Sequence, residues 1–424
     1  MYVVYGLVML CLALVPKPHL STPLKVWCIS WAIAWLAHAA LAGVYYSSDE
    51  ALFFVFLANI LFAFGGWAFY FFPRLVRSHA AHRESAVLRY LAGESSRITF
   101  CYVFLALSLI SIVYGASQLG GLAALKSGLF EAMKSNKAAL IEGEEYAIPL
   151  GIKLANMMVL TTSILAGLAF ASKGKTQSTL GFAFLVPFVT SVLLLSAVTG
   201  VRGYILSSGL FFGFSYISGR TFINFGRNVV RPKVIVYGLV AVTAFLVWTV
   251  IVQSARLEDT RLQNLSGTLE HLRPWFGGYL PALSVWYDNH YSGDYRLGAY
   301  LLRGILAPLG LVSGEGFNER MDFSWIGNGQ ASNAMTAFRA MWADFGPFGT
   351  AAFCLVWGFF SSYSFQAAMN KGRAWLVLLA CNYCAIFFSI NYWFFAHGAK
   401  IFAAIISAAI ILASYYPLKI KRHV

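Results

Sequence analysis

Long apolar runs separated by short polar connections dominate this chain. A helix that crosses a bilayer needs roughly 20 mainly apolar residues, and eleven runs reach or approach that length. We predict spans at about 2–15, 25–45, 51–73, 98–118, 148–171, 178–198, 203–218, 234–253, 346–366, 374–391 and 400–417. The segment 253–345 cannot be divided in this way, and we interpret it as one large loop before the last three spans.

Composition supports the same fold class. The 424 residues are 59% hydrophobic and only 11% charged, whereas soluble chains carry about a quarter charged residues. We predict an all-α polytopic membrane protein with about eleven transmembrane helices. Its organisation would be an N-terminal bundle (1–252) of about eight spans, a large loop (253–345), and C-terminal transmembrane helices with a basic tail (346–424).

Charge sorts the connections between spans into two alternating sets. One set, which includes the tail, holds eighteen basic and two acidic residues, a balance of +16, and the other holds thirteen basic and fifteen acidic residues, a balance of −2. The positive-inside rule puts the basic set in the cytoplasm. The N-terminus and the 253–345 loop would then lie outside, and the net charge of +14 reflects topology and does not indicate a nucleic-acid partner. Residues 119–147 would form a surface helix on the same outer side.

No motif indicates a metal or a cofactor. Cys381 and Cys384 have the spacing of a redox pair, but they lie inside a predicted span, where small packing residues are the favoured interpretation. The sequence contains no cluster of His and Cys with zinc-ligand spacing, and we predict neither a metal nor a cofactor.

The 253–345 loop has an unusual set of charged and aromatic residues. It contains seven arginines, no lysine and nine acids, with tyrosines and tryptophans among them. Arginine binds planar oxyanions through a fixed fork of donors, which lysine lacks. This composition favours a site for phosphate and sugar. The alternative is a folded cap held by ordinary surface salt bridges.

A tight turn between two predicted spans lies on the same outer side as the 253–345 loop. Arg202 stands between Gly200 and Gly203 in a tight turn, where the glycines would let a ligand approach the backbone. Tyr204 adds a hydroxyl beside it, and the alternative is that Arg202 is an interfacial anchor.

The end of the long loop is predicted to form a turn and a short helix. Asn328 to Asn333 is turn-like, and Ala334–Ala343 would be a helix capped by Asn333 or Ser332. This helix would hold Arg339 near the lipid headgroups, unless it is a plain amphipathic helix. Two more helices are predicted at 277–287 and 297–311, packed on the outer face.

These motifs together resemble a known family. Thr199-Gly-Val-Arg-Gly203, Gly298-Ala-Tyr-Leu-Leu-Arg-Gly304 and the segment from Asn333 to Gly349 resemble motifs of the bacterial O-antigen and oligosaccharide repeat-unit polymerases, relatives of the O-antigen ligases. The motifs cover about a sixth of the chain and the topology nearly all of it. One departure is that the ligases carry a histidine in the turn before the short helix, where this chain has Asn328-Gly-Gln-Ala-Ser-Asn333.

The resemblance implies an inner-membrane enzyme of the class-C glycosyltransferase type. It would polymerise undecaprenyl-diphosphate-linked oligosaccharides, as donor and acceptor, in lipopolysaccharide biosynthesis, with a flippase and a chain-length regulator as partners. Arginines would stabilise the leaving diphosphate without a metal. An outer carboxylate would take the proton of the acceptor hydroxyl. The catalytic candidates are Arg202, Arg339, Asp344 and Asp288, and the substrate-binding candidates are Arg303, Arg273, Tyr204, Asn333, His290 and Trp275.

The choice of base stays open at this stage, since His290 and Glu315 could also serve. The sequence disfavours three other functions. A lipid-oligosaccharide flippase or other transporter should carry ionisable residues at mid-membrane depth, and the predicted spans contain almost none. An O-antigen ligase is disfavoured by the missing histidine. A non-catalytic scaffold would not need the clustered arginines.

Overall fold

A computed structural model describes the chain at 1–15, 22–41, 43–71, 80–118, 149–172, 182–199, 203–224, 277–312, 324–332 and 334–415, together with a few isolated positions. The predicted surface helix at 119–147 and most of the predicted span at 234–253 lie outside these residues. Nearly all predicted spans that fall inside them coincide with helices.

Thirteen helices and one hairpin make up the part of the chain that the structure describes. The helices are α1 (Tyr2–Leu14), α2 (Pro23–Ala40), α3 (Asp49–Ala68), α4 (Ala80–Ala92), α5 (Glu94–Gln118), α6 (Leu150–Ser172), α7 (Phe182–Thr199), α8 (Gly203–Ile223), α9 (Tyr279–His290), α10 (Arg303–Leu306), α11 (Ala337–Lys371), α12 (Ala374–Phe388) and α13 (Gly398–Tyr415). Strands β1 (Ser324–Gly327) and β2 (Gln330–Ser332) pair antiparallel. Short 3₁₀ turns follow α3 at Phe69–Phe71 and precede α13 at Phe394–Ala396.

The apolar helices confirm an all-α membrane protein in outline. Among the described residues, four helices are long and apolar enough to cross a bilayer, at Asp49–Phe71, Glu94–Gln118, Leu150–Ser172 and Ala337–Lys371. Shorter apolar helices accompany them.

The chain forms two compact units, each assembled from separate stretches. Unit 1 comprises Met1–His79, Leu269–Ala367 and Cys381–Ile401, and unit 2 comprises Ala80–Thr268, Ala368–Ala380 and Phe402–Val424. This division follows contacts in space. The predicted three-part organisation follows the order of the sequence and remains a prediction.

In unit 1, helices α3 and α11 cross at a very short distance. A Cβ on Gly65 would overlap the backbone of Leu355, and one on Gly358 would overlap the backbone of Phe62. Small residues allow such approaches between membrane helices, where van der Waals packing drives association. Trp27 stacks on Phe62 with ring centroids 4.0 Å apart beside this crossing.

In unit 2, helix α6 packs along both α5 and α8. Gly115 and Gly151 face each other at the α5–α6 contact, where either Cβ would overlap the opposite helix. Cys381 and Cys384, on the part of helix α12 that belongs to unit 1, are free and buried, as expected of packing residues.

Two local predictions are corrected. The predicted helix at 297–311 is mostly turns, with only the four-residue α10, because Leu297 (φ +49°) and Gly298 (φ +96°) have left-handed backbone conformations. The predicted helix at 334–343 instead begins at Ala337 and runs on to Lys371, through a kink at Gly346 (φ +69°). Its first turn is capped by Thr336, whose hydroxyl accepts the N–H of Phe338 at 3.3 Å. Ser332, one of the two predicted caps, is the last residue of β2, and the other, Asn333, lies outside the described residues.

The predicted turn at 328–333 is confined to Asn328 and Gly329, because Gln330–Ser332 is strand β2. Asn333 lies outside the described residues. Asn328 (φ +53°) and Gly329 (φ +66°) form the two-residue loop of the hairpin. Two consecutive left-handed residues are typical of a type I′ turn, for which Asn-Gly is the preferred sequence.

Candidate active site on the cap of unit 1

Most of the described candidates lie in one part of unit 1, which we call the cap. It consists of residues 43–48, 277–312, 324–332 and 334–345. Backbone and side-chain bonds join its parts: the N–H of Tyr46 donates to the carbonyl of Ile326 at 2.8 Å, and the Tyr45 hydroxyl donates to Oε1 of Gln330 at 2.5 Å. The connection between α2 and α3 therefore packs on the hairpin.

Helix α9 carries three consecutive residues with different contacts. Trp286 is 8% exposed, and the Arg339 guanidinium carbon lies 5.5 Å from its ring centroid. Tyr287 donates to Oε1 of Glu50 at 3.0 Å and packs edge-on against Trp342. Asp288 is exposed at the helix end. One short helix thus lies between a buried cation and an accessible carboxylate.

Two hydroxyl groups hold the carboxylate of Asp288. Oδ2 accepts from the Tyr46 hydroxyl at 2.6 Å, and Oδ1 accepts from the Ser48 hydroxyl at 3.0 Å. Ser48 is also the N-cap of α3, where its oxygen accepts the N–H of Ala51. The hydrogen bond with Asp288 raises the pKa of Tyr46. Asp288 is therefore oriented by its neighbours while solvent still reaches it.

Asp344 has the opposite environment. Its side chain is 0% exposed, and its two oxygens accept the backbone N–H groups of Tyr300 at 3.1 Å and Leu301 at 2.8 Å. A second contact stabilises the 298–301 loop: the Trp393 indole donates to the carbonyl of Leu301 at 2.9 Å. Asp344 positions the 298–301 loop, and this geometry suits a structural role better than that of a base.

Aromatic rings lie between these groups. Tyr287 and Tyr291 stack with centroids 5.3 Å apart and an interplanar angle of 16°, and the Tyr291 hydroxyl meets that of Tyr295 at 3.4 Å. Burial raises the pKa of Tyr287 to about 12, with a further contribution from its hydrogen bond to Glu50. Each of these tyrosines combines an apolar ring face with a hydroxyl that can form a hydrogen bond.

Arg339 is only 4% exposed. A phosphate would have to enter the protein surface to reach it, and a desolvated cation attracts an anion more strongly than a solvated one. The helix that carries Arg339 is anchored at its start, because the N–H of Ala337 donates to the carbonyl of Ser389 at 2.8 Å. Trp31 in turn donates to the hydroxyl of Ser389 at 3.0 Å.

The structure gives only the position, and few contacts, of the remaining candidate site residues. Arg303 is half-buried at the start of α10, whose Gly304 packs on the backbone of Phe395 and His397. Arg273 is exposed, and His290 ends α9. Tyr204 lies on α8 in unit 2. Arg202, Trp275, Asn333 and Glu315 lie outside the described residues.

The sequence did not predict a role for Lys400, a buried cation of unit 1 that the structure surrounds with aromatic rings. Lys400 is 4% exposed and lies near the ring centroids of Phe394 (4.2 Å), Tyr392 (4.5 Å) and Phe388 (5.2 Å). It also donates to the Tyr392 hydroxyl. The available signal was a lone lysine after the aromatic run 391–397, on the side predicted to face outward. Tyr46 and Ser48, in the connection between α2 and α3, were likewise not among the predicted site residues.

Among the described residues, no group of three or more His, Cys, Asp and Glu side chains is arranged to hold a metal ion. The fold and cap define a helical membrane protein with a cap rich in aromatic and charged side chains. Comparisons with protein-family models, with curated proteins and with solved structures gave no significant match.

Proposed function

We propose that this protein is a membrane glycosyltransferase that polymerises oligosaccharides carried on undecaprenyl diphosphate, in the manner of an O-antigen polymerase. The observation that supports this most is the arrangement on α9. Trp286 underlies the Arg339 guanidinium, and Asp288, two residues on, is held by two hydroxyls.

The reaction is a transfer of the growing chain from one lipid diphosphate to another unit. The acceptor hydroxyl attacks the anomeric carbon of the donor, a new C–O bond forms, and the bond from that carbon to the diphosphate oxygen breaks. Asp288 takes the hydroxyl proton, as a carboxylate within hydrogen-bond reach can do. Arg339, assisted by Arg303, stabilises the charge that develops on the diphosphate.

The arrangement of aromatic rings supports an oligosaccharide in this role. Tyr287, Tyr291 and Tyr295 form a continuous set of rings and hydroxyls next to Asp288. Rings of this kind bind sugars with little loss of conformational entropy, because each side chain has only two rotatable angles. In the cell, the units would be supplied by a flippase, and a chain-length regulator would act on the product at the outer face of the inner membrane.

A single reconstitution tests the function. Purified protein is incubated with a lipid-diphosphate-linked oligosaccharide alone, without nucleotide sugar or ATP, and the products are separated by length. We expect a ladder of longer lipid-linked chains. If the wild-type protein gives no ladder under these conditions, the proposed function is wrong.

Three variants test the site within the same assay. Arg339→Ala should abolish elongation, and Arg339→Lys should restore little of it, because lysine lacks the planar fork that binds two phosphate oxygens. Arg296→Gln is the matched control, since Arg296 is an exposed arginine of the same cap. A full-length ladder from Arg339→Ala would remove Arg339 from the site.

A further inference from the structure

One stretch of the unit 1 cap exposes an unusual number of apolar side chains. We call residues 297–311, which surround the short helix α10, the apolar segment; Arg303 is its only charged residue. Leu309 is 65% exposed and Leu311 69%, and the five consecutive residues 307–311 (Ala-Pro-Leu-Gly-Leu) are all exposed. An exposed apolar surface of this kind marks a contact with a membrane or with another protein. The proposed function does not use it.

The backbone of the apolar segment makes its hydrogen bonds within the protein, although most of the segment consists of turns. Between Ala299 and Leu311, eleven N–H groups donate to acceptors within the protein, two of them to the carboxylate of Asp344. Pro308 has no N–H to donate. Lipid offers no acceptor to a backbone N–H, so a segment that enters a bilayer must satisfy these groups internally. A solvated loop can leave them to water.

The first residue of the apolar segment is held where α11 enters the membrane. The N–H of Leu297 donates to the carbonyl of Asp344 at 3.1 Å. Two residues later α11 kinks at Gly346 and continues as a helix that is long and apolar enough to cross a bilayer. Phe348, just after the kink, is 74% exposed, and Leu297 is 83% exposed. Leu297 therefore lies at the level of the membrane surface, next to a side chain that acyl chains would cover.

The middle of the apolar segment is held at the start of a second apolar helix. Gly304 lies so close to the turn before α13 that a Cβ on it would overlap the carbonyl oxygen of Phe395 and the side chain of Ile401. The Trp393 indole donates to the carbonyl of Leu301 at 2.9 Å. Helix α13 is one of the shorter apolar helices. The segment thus connects the starts of two apolar helices, and its depth in the membrane is fixed by both.

We propose that the apolar segment inserts into the lipid leaflet around the starts of α11 and α13, with Leu309 and Leu311 between the headgroups and the upper part of the acyl chains. Its turns keep it out of the hydrocarbon centre, where lipid-exposed non-helical backbone does not occur. Lipid is favoured over a protein partner because the segment is attached where α11 enters the bilayer, beside the exposed Phe348. The proposal is independent of the glycosyltransferase function.

Fluorescence quenching in vesicles measures the insertion. Cys11 is exposed and the other five cysteines are buried, so Cys11→Ser gives a background in which a thiol dye reacts only with an added cysteine. Leu309→Cys is labelled in this background with an environment-sensitive dye. The full-length protein is reconstituted at low density in vesicles whose lipids carry a nitroxide either next to the headgroup or at the end of the acyl chain. Iodide in the buffer reports access from water.

We expect the dye at position 309 to be quenched more by the shallow nitroxide than by the deep one, because an interfacial segment enters only about 5–10 Å. Iodide should quench it little. Ser292→Cys is the matched control, an exposed polar position of the same cap outside the apolar segment, and it should respond to iodide alone.

Two results would overturn the proposal. Equal quenching of both labels by iodide would place the apolar segment in water. Protection of position 309 from iodide and from both nitroxides would mean that protein, such as a second copy of this chain, covers the segment.

Leu309→Asp combined with Leu311→Asp tests whether the leucines hold the segment in lipid. Both side chains are exposed, so the core is left intact, while a carboxylate is costly in lipid. With the dye on Ala307→Cys, which is also exposed, this variant should lose quenching by the shallow nitroxide and gain quenching by iodide. Isoleucine at both positions should change neither. Unchanged nitroxide quenching in the aspartate variant would overturn the proposal.

Discussion

Two aspartates of unit 1, Asp288 and Asp344, have opposite surroundings. Asp288 is exposed and accepts from the side-chain hydroxyls of Tyr46 and Ser48. Asp344 is fully buried and accepts from the backbone N–H groups of Tyr300 and Leu301. A carboxylate bound by backbone N–H groups maintains a loop, whereas one oriented by hydroxyls in reach of solvent can still exchange a proton with a ligand.

The difference shows how two acids of one loop come to have different roles. In sequence, both are outer carboxylates near arginines, and nothing separates them. In the structure, the side chain of Asp344 satisfies backbone donors that would otherwise be buried without partners. Loss of Asp344 should therefore affect folding, and loss of Asp288 should affect activity.

The largest expected effect is on catalysis. Asp288→Asn should lower the rate of polymer formation by about 1,000-fold, the usual contribution of a general base, while thermal unfolding stays close to that of the wild type. The rate is measured from the lipid-linked product ladder. Asp294→Asn, an exposed acid of the same cap, is the control and should elongate normally. A wild-type rate in Asp288→Asn would assign the proton transfer to another residue.

The second expected effect is on stability, where loss of Asp344 should matter more than loss of Asp288. Asp344→Asn should lower the free energy of unfolding by about 3 kcal/mol, because an amide cannot accept from the buried N–H groups at both of its positions. The measurement is thermal unfolding of the purified protein, followed by intrinsic fluorescence. Asp288→Asn, measured beside it, should change stability by less than about 1 kcal/mol. Equal stability of the two variants would contradict the comparison.

A third prediction concerns the kink beside Asp344. Gly346 has φ +69°, and a Cβ there would lie 2.8 Å from the ring of Tyr295. Gly346→Ala should cost about 3 kcal/mol, because φ +69° with ψ 175° is a backbone region essentially restricted to glycine and the added Cβ would meet Tyr295. Gly310 also has a positive φ but has open space around it, and Gly310→Ala should cost about 1 kcal/mol. Chemical or thermal unfolding of both variants gives the two costs, and equal costs would contradict this prediction.

The smallest effect is a dependence on pH near Asp288. Tyr287 has a folded-state pKa of about 12, above the ordinary value near 10. The neutral hydroxyl therefore contributes stability that is fully present below pH 10 and is lost as the pH rises towards 12. Tyr287→Phe should show a shallower decline of melting temperature between pH 10 and 12 than the wild type. Parallel declines would mean that Tyr287 ionises alike in both states.

The sequence alone accounts for most of the helices of this protein. Apolar runs of sufficient length indicate membrane helices because a bilayer leaves backbone polar groups no partner except within the helix. The Asn328-Gly329 turn was also recognisable, since a left-handed pair of residues needs those residue types. Local rules of this kind depend on neighbours in the chain and are visible without the fold.

Local rules failed where distant residues supply the partners. The apolar spacing of 297–311 favoured a helix, yet the carboxylate of Asp344 draws the N–H groups of Tyr300 and Leu301 away from helical bonding. The helix that carries Arg339 begins at Ala337, where the carbonyl of Ser389 receives its first N–H. Neither partner is adjacent in sequence.

The sequence by itself showed that arginines, acids and tyrosines are concentrated in one segment. It also placed Arg339 among the candidate site residues. Only the tertiary structure placed Trp286 beneath Arg339 and the Tyr46 and Ser48 hydroxyls on Asp288. The same holds for the aromatic rings around Lys400. The physical reason is that these sites consist of side chains from separate stretches, and their distances depend on how the helices pack.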